Sequence, residues 1–268
     1  MSASIAVDRR DALREQYKDG SNLRARINLH ERFATNPYGF FRWEFDQMRL
    51  PSDASVLEIG SGTAAFWSQN AGRIPAGWTI TLSDFSAGIM RDGGRELARA
   101  GRHFDFVQTD AQVLPFRNGE FDAVIANFML YHVPDIPQAI REINRVLKPC
   151  GTCYAATMSR QSLGEFHRIV KRFIPNARIG QAAVRFGLEN GVDCLREVFP
   201  RIAVEKYPDE LIVTEVQPLM DYVNSATSMR GIGTSIELDA LRRHLDETLA
   251  AHGCFRITKE FGVLIASK

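Results

Sequence analysis

Several things are scarce in this 268-residue chain. It has four cysteines, and only Cys150 and Cys153 stand at CxxC spacing. With no second pair to complete a tetrahedral set they read as free thiols; no metal site is expected, and no secreted disulfide scaffold is indicated. Charge of neither sign is in surplus. Lys and Arg number 33 against 32 Asp and Glu, a formal net charge of +1. A nucleic-acid partner, whose phosphates demand a basic excess, is not expected. No apolar run reaches the roughly 18 residues of a spanning helix. Residues 1–10 lack the apolar stretch of a secretory signal, so the expected address is cytoplasmic. Repeats and low-complexity tracts are also absent. What remains, 45% hydrophobic and 24% charged residues, suits one sizeable core with additions.

From 55 to 158 short apolar runs alternate with helical periodicity. Strands are expected at 55–59, 78–83, 104–109, 122–127 and 151–158. Helices are expected at 63–72, from an N-cap at Ser86 to about 100, and at 136–147, the last stopped by Pro149 and Gly151. That rhythm predicts an α/β fold, a doubly wound and mostly parallel sheet. The flanks differ. Residues 8–48 look helical and crowd Phe33, Tyr38, Phe40, Phe41, Trp43 and Phe45 together. Between 161 and 199 the helical pattern is broken by Pro175, Gly180, Gly187 and Gly191. Segments 202–207 and 211–214 flank Pro208-Asp209-Glu210 and read as a hairpin. Two helical patterns then lead to 255–259 and 263–266, expected as closing antiparallel strands.

Polar residues stop the expected strands. The run Val56-Leu57-Glu58-Ile59-Gly60-Ser61-Gly62-Thr63 passes from an apolar strand through an acid into a glycine turn, and Asp84, Asp110 and Asn127 fall where later strands end. In an open parallel sheet these ends border one crevice, and ligands bind there. A glycine loop alone is a weak sign; the set together describes a nucleoside-shaped site. A dinucleotide loop holds a pyrophosphate at a helix N-terminus, and Glu58 beside it would repel that ligand. A carboxylate there suits a positive amino or sulfonium group, which favours S-adenosylmethionine over NAD. Asp84, 24 residues beyond Gly60, can accept hydrogen bonds from both hydroxyls of a ribose; in isolation it also reads as a loop or capping aspartate. Phe85 either stacks on an adenine or packs in the core. Asp110 can accept from an adenine amino group or be an ordinary loop aspartate.

Five ordered segments, VLEIGSGTA, LSDFSAGIM, QTDAQVLPF, FDAVIANFMLYHVPD and RVLKPCGT, resemble the class I S-adenosylmethionine-dependent methyltransferases over 55–158. Leu114-Pro115-Phe116, Phe121-Asp122 and His132-Val133-Pro134-Asp135 are most similar to the small-molecule branch, which includes quinone-biosynthesis and natural-product methyltransferases. The resemblance implies a Rossmann-like sheet of seven strands: a helical amino-terminal cap (1–48), a cofactor-binding core (49–160), an inserted lid after the fifth strand (161–235), and a final helix with closing strands (236–268). It implies that Glu58, Gly60, Ser61 and Gly62 border the methionine and ribose portions of the cofactor. Asp84 would bind the ribose hydroxyls with Phe85 beside the adenine. Asp110 and Ala111 would meet the adenine edge, and Asn127 would lie near the methionine moiety. Two departures stand out. Ala64 replaces a third glycine, a change expected to be sterically mild at a helix start. Cys150 replaces the first glycine of a Lys-Pro-Gly-Gly turn, which predicts that the turn needs no glycine conformation.

Methyl transfer is an in-line displacement at a sulfonium carbon, leaving S-adenosylhomocysteine; the protein positions the nucleophile and excludes water. A base is required only where the acceptor must lose a proton. His132, with an ordinary pKa of about 6.5, and Tyr131 are the candidates, just past the fourth strand. The other reading of His132 is a residue that holds the loop before Pro134. Tyr38, Phe41 and Trp43 can close over the cofactor and line an acceptor pocket, with Arg42 on its carboxylate, or can simply be core. The expected function is methyl transfer to a small-molecule acceptor, a specialised metabolite ahead of a quinone, because cap and insertion look tailored to one acceptor. Less favoured are a NAD-binding oxidoreductase and a catalytically silent cofactor-binding scaffold. The Asn-Pro-Pro-Tyr type of signature used on nucleic-acid or protein amines is missing, since Phe128-Met129-Leu130 follows Asn127.

Overall fold

Two helices, α1 (Ser21–Phe33) and α2 (Phe40–Asp46), precede the alternation β1 (Ser55–Ile59), α3 (Ala65–Asn70), β2 (Thr79–Asp84), α4 (Ala87–Leu97), β3 (Asp105–Gln108), β4 (Phe121–Ile125), α5 (Ile136–Val146) and β5 (Leu147–Met158). Next come α6 (Gly164–Phe173), α7 (Ala182–Arg185), α8 (Gly191–Arg196), β6 (Arg201–Val213), α9 (Val216–Thr227), α10 (Ser235–His252) and β7 (Phe255–Ser267). This computed structural model describes residues 21–98, 100–177, 179–227 and 233–268; the helical cap expected from residue 8 therefore falls partly outside the described residues.

The sheet has seven strands in the order β3-β2-β1-β4-β5-β7-β6. Strands β1 to β5 run parallel, and β7 is antiparallel to both of its neighbours. The chain winds outward from β1 to β3, then returns to β4 beside β1. The switch point thus lies between the ends of β1 and β4, where such sheets bind ligands. Local sequence explains the elements. Helix α5 carries Ile136, Ala139, Ile140, Ile143 and Val146 at helical spacing, and this stripe is buried with Leu57, Val124 and Leu264 on one face of the sheet. On the other face Phe66, Trp67 and Leu97 pack with Val56, Ile80, Leu82 and Ile125. Ser86 caps α4 by accepting from the Ile89 N–H at 3.4 Å, as its sequence position predicts, and Asp135 caps α5 through the Gln138 N–H at 3.0 Å.

Several expectations are corrected. No hairpin turns at Pro208: β6 runs unbroken from Arg201 to Val213, paired along its length with β7. Proline reads as a break, but β6 is an edge strand and the missing N–H costs no ladder bond. The segments 255–259 and 263–266 are likewise one strand, β7. Gly262 inside it marks close approach rather than a turn, because an added Cβ would lie 2.6 Å from the Glu205 carbonyl oxygen. Part of the span expected as a lid, β6, therefore belongs to the main sheet. The outer edge of β6 is covered by the chain after α1: Thr35 N–H donates to the Glu210 carbonyl, and the Thr35 and Asn36 N–H groups donate to Asp209 Oδ1, each at 3.0 Å.

The two glycine replacements also differ from expectation. Ala64 sits at φ 59° and Cys150 at φ 64°, both in the left-handed region that glycine occupies without a Cβ penalty. The turn before β5 does need a glycine-like backbone and carries a cysteine in it. Cys150 is exposed, so a glycine there relieves strain without losing packing. Cys150→Gly is expected to raise unfolding free energy by about 1 kcal/mol. Urea denaturation of the two proteins measures this, and an equal or lower midpoint for the variant contradicts the assignment.

Candidate functional site

The site is built from the carboxyl ends of β1, β2 and β4 with α2 laid over them. Glu58, one residue before the end of β1, is 2% exposed. Its Oε2 accepts from the Trp67 indole N–H at 2.7 Å. Burial pushes the Glu58 carboxyl up to about 8; the Trp67 bond works against this and the charge of Asp84 works with it. Beyond it the loop turns through Gly60 at φ 68° and Gly62 at φ 56°. A Cβ on Gly60 would lie 2.7 Å from Met129 Cβ, so the glycine lets the loops after β1 and β4 touch. Asp84 ties this loop to the next one. Its Oδ2 accepts from the Gly62 N–H at 3.0 Å and its Oδ1 from the Ser86 N–H at 2.8 Å. Burial raises the Asp84 carboxyl in spite of those bonds.

Helix α2 closes the crevice. Phe40 and Glu44, one turn apart, are its buried residues. The Phe41 and Phe45 rings lie 5.9 and 6.0 Å from Phe66 on α3, and Asn70 Nδ2 donates to the Phe41 carbonyl at 3.0 Å. Arg73 latches the outer side through the Arg42 carbonyl and Asp46. Glu44 is fully buried, and its Oε2 accepts from Asn127 Nδ2 at 3.1 Å. Burial lifts its carboxyl well above the usual range, the nearby Glu58 adds to this, and the Asn127 bond opposes it. Glu44 Oε1, Asn127 Oδ1 and Ser61 Oγ are buried with no hydrogen-bond partner among the described residues. Buried polar atoms are rarely left so. Acceptor atoms thus accumulate where donors are few, and a ligand carrying a cationic ammonium group and hydroxyls supplies what is missing. The residues present fit S-adenosylmethionine.

Glu58, Asp84 and Asn127 are brought together at the switch point, with Gly60, Ser61 and Gly62 between them and Phe85 half-buried beside Asp84. Asp110 is held inside its own turn, where Gln112 donates to it from its backbone N–H at 3.0 Å and from Nε2 at 2.8 Å; Ala111 between them is buried. Tyr131 and His132 are half-buried in the turn after β4, their rings 4.6 Å apart. Arg185 of α7 clasps that turn through the carbonyls of Tyr131, Val133 and Pro134. Trp43 packs against Tyr207 with tilted rings 5.3 Å apart, and Phe40 lies 5.2 Å from Phe128 and 5.7 Å from Phe261, forming an aromatic wall next to Asn127. Phe128 enters that wall at φ 51°, a strained conformation for a bulky residue. Tyr38 and Arg42 are not brought to the site. They lie exposed on the outer face of the cap, where the Tyr38 hydroxyl donates to Asp46 at 2.6 Å and Arg42 stacks on the Tyr38 ring.

Sequence reasoning missed Glu44, Gln112 and Arg185. Glu44 left a trace: in FFRWEFD it stands one turn from Phe40, an acid on the apolar face of its helix.

The Glu58 carboxyl, at about 8 in the fold against an ordinary 4.5, binds a proton that the unfolded chain has released between those values. Stability of the unliganded protein is therefore expected to fall as pH rises through that window and to level off above it. Glu58→Gln removes this titration. Urea unfolding at about pH 5 and about pH 9 should show the wild type losing on the order of a few kcal/mol more than the variant. Equal slopes for the two proteins contradict the burial of this acid.

Residues 57–155 match the sequence family described as a methyltransferase domain. Over 121 residues the chain is 32% identical to the ubiquinone/menaquinone biosynthesis C-methyltransferase UbiE of Hahella chejuensis, covering 44% of this chain and 49% of that protein. Over 129 residues it is 37% identical to the demethylmenaquinone methyltransferase of Roseiflexus castenholzii, covering 47% and 53% respectively. The chain spans about half the length of these curated relatives. In fold it resembles phosphoethanolamine N-methyltransferase 2 of Haemonchus contortus, solved with phosphomonomethylethanolamine and S-adenosylhomocysteine: the TM-score is 0.57 at 16% identity, over 97% of this chain and 60% of that one. Sheet order, switch-point crevice and the match over residues 57–155 agree, and this stretch resembles a methyltransferase domain.

Proposed function

We propose that the protein transfers the methyl group of S-adenosylmethionine to a flat, largely apolar small molecule, a specialised metabolite. The observation that carries this reading is the gathering of Glu58, Asp84 and Asn127 at the switch point, with buried acceptor atoms left over. When bound, the cofactor supplies an activated methyl on a positively charged sulfur. Glu58 and Asn127 take its amino-acid end. Asp84, oriented by the Gly62 and Ser86 N–H groups, takes the ribose hydroxyls. Phe85 takes the adenine face, and Asp110 with Ala111 its edge. The wall of Phe40, Phe41, Trp43 and Phe128 excludes water and presents the acceptor's ring to the sulfur. His132, held in its turn by Arg185, takes a proton where the acceptor nucleophile is a hydroxyl, with Tyr131 beside it.

The names of the two curated relatives favour a second reading, C-methylation of a quinone precursor. Among the described residues no helix is long and apolar enough to cross a membrane, and Cys150, Cys153, Cys194 and Cys254 are free thiols. We infer a cytoplasmic enzyme from these thiols. Incubation with S-adenosylmethionine and three acceptor sets tests the proposal: phenolic metabolites, prenylated quinols, and RNA or protein. Release of S-adenosylhomocysteine is expected with the first set. Turnover confined to the second establishes the quinone reading, and turnover confined to the third, or binding of NAD alone, overturns both.

A further inference from the structure

We propose that Glu44, carried over the crevice by α2, is a second acidic ligand for the cofactor's α-ammonium group. This rests on the cofactor reading above. Glu44 comes from the helix that covers the crevice, not from any strand end. It is fully buried, one of its oxygens is bound by Asn127, and the other has no partner among the described residues. Asn127 is 9% exposed and Ser61 8% exposed, and each also presents a buried oxygen without a partner. Together they mark a buried cluster of polar atoms whose hydrogen-bonding capacity is not filled by the described residues. A carboxyl that only filled space would be matched by a donor, or replaced by an apolar residue of like size.

The neighbours sharpen the assignment. Glu58 lies close enough to Glu44 to disfavour its ionisation, and Asp84 acts on Glu58 in the same sense. Facing groups on α2, β1, β2, the loop after β4 and α3 are thus Glu44, Glu58, Asp84, Asn127 and the Trp67 indole, with no lysine or arginine among these five. Without a cation the two carboxyls sit side by side as neutral acids, raised by burial. With an ammonium between them both can ionise and form charge-assisted bonds to it. The packing of Phe41 and Phe45 on Phe66 and the Asn70 latch then hold α2 over the ligand. The adenosine half, which would meet Asp84 and the later loops, makes no contact with Glu44 in this arrangement.

Calorimetric titration of the whole chain with S-adenosylhomocysteine and with 5′-methylthioadenosine, which keeps the adenosine and lacks the amino-acid end, tests the proposal. Binding of S-adenosylhomocysteine by the wild type is the check on the cofactor reading itself, and its failure would overturn that reading rather than the role of Glu44. Glu44→Gln keeps the side-chain shape and removes a buried acid, so its melting temperature should be equal to or above that of the wild type. It is expected to bind S-adenosylhomocysteine about tenfold or more weakly, with 5′-methylthioadenosine affinity changed less than about twofold. Hydrogen exchange gives a second readout that needs no substitution: residues 40–46 of the wild type gain protection with S-adenosylhomocysteine and not with its analogue lacking the α-amino group. Unchanged affinity for both ligands, an equal loss for both, or equal protection by the deaminated analogue overturns the proposal.

Discussion

Putting carboxyl groups out of water beside one another is the constraint around which this site is organised. Glu58 and Glu44 are buried, Asp84 nearly so, and each carries a carboxyl raised by that burial. A fold holds such groups only as neutral acids or against a cation. The local architecture eases the cost without removing it: an indole N–H for Glu58, two backbone N–H groups for Asp84 and one amide for Glu44. The remainder is a standing affinity for positive charge, which the proposed sulfonium cofactor would answer.

The additions to the core keep the cap where the chemistry needs it. Lys259 of β7 is 5% exposed and pairs with the buried Asp209 carboxylate of β6 at 2.6 Å. That same carboxylate binds the N–H groups of Thr35 and Asn36, between α1 and α2. His30 of α1 packs on Phe261 at 5.1 Å, and its imidazole is lowered to about 3 chiefly by burial and then by the charge of Lys259. The antiparallel strands thus anchor the segment that delivers Glu44, while Arg185 of the inserted region fixes the turn bearing His132. A buried ion pair of this kind is weak support for stability in itself; here its geometry positions a helix.

What the sequence made legible follows from how local each signal is. Strands β1 to β4 and the cap Ser86 depend on neighbours within a few residues, and they appear close to where expected, whereas β5 starts at Leu147 rather than at 151. Glu58, Asp84 and Asn127 also appear where expected, because a parallel sheet carries every strand end to the same crevice. Pro208 misled, and 255–266 reads in sequence as two strands, because an edge position and a close cross-strand approach are defined only by the assembled sheet. Cys150 and Ala64 misled because a residue type does not reveal that its neighbours force a left-handed turn. Glu44 stayed hidden among aromatics because its partner Asn127 lies 83 positions away.

The most direct test of the central claim is a count of protons. With Glu58 at about 8 and Glu44 raised beside it, the unliganded crevice holds protons at neutral pH. A bound ammonium group favours the ionised acids and expels protons. Calorimetry of S-adenosylhomocysteine binding at about pH 7, repeated in buffers of different ionisation enthalpy, should report a net release of about one proton per site. Zero exchange, or net uptake, would contradict the account.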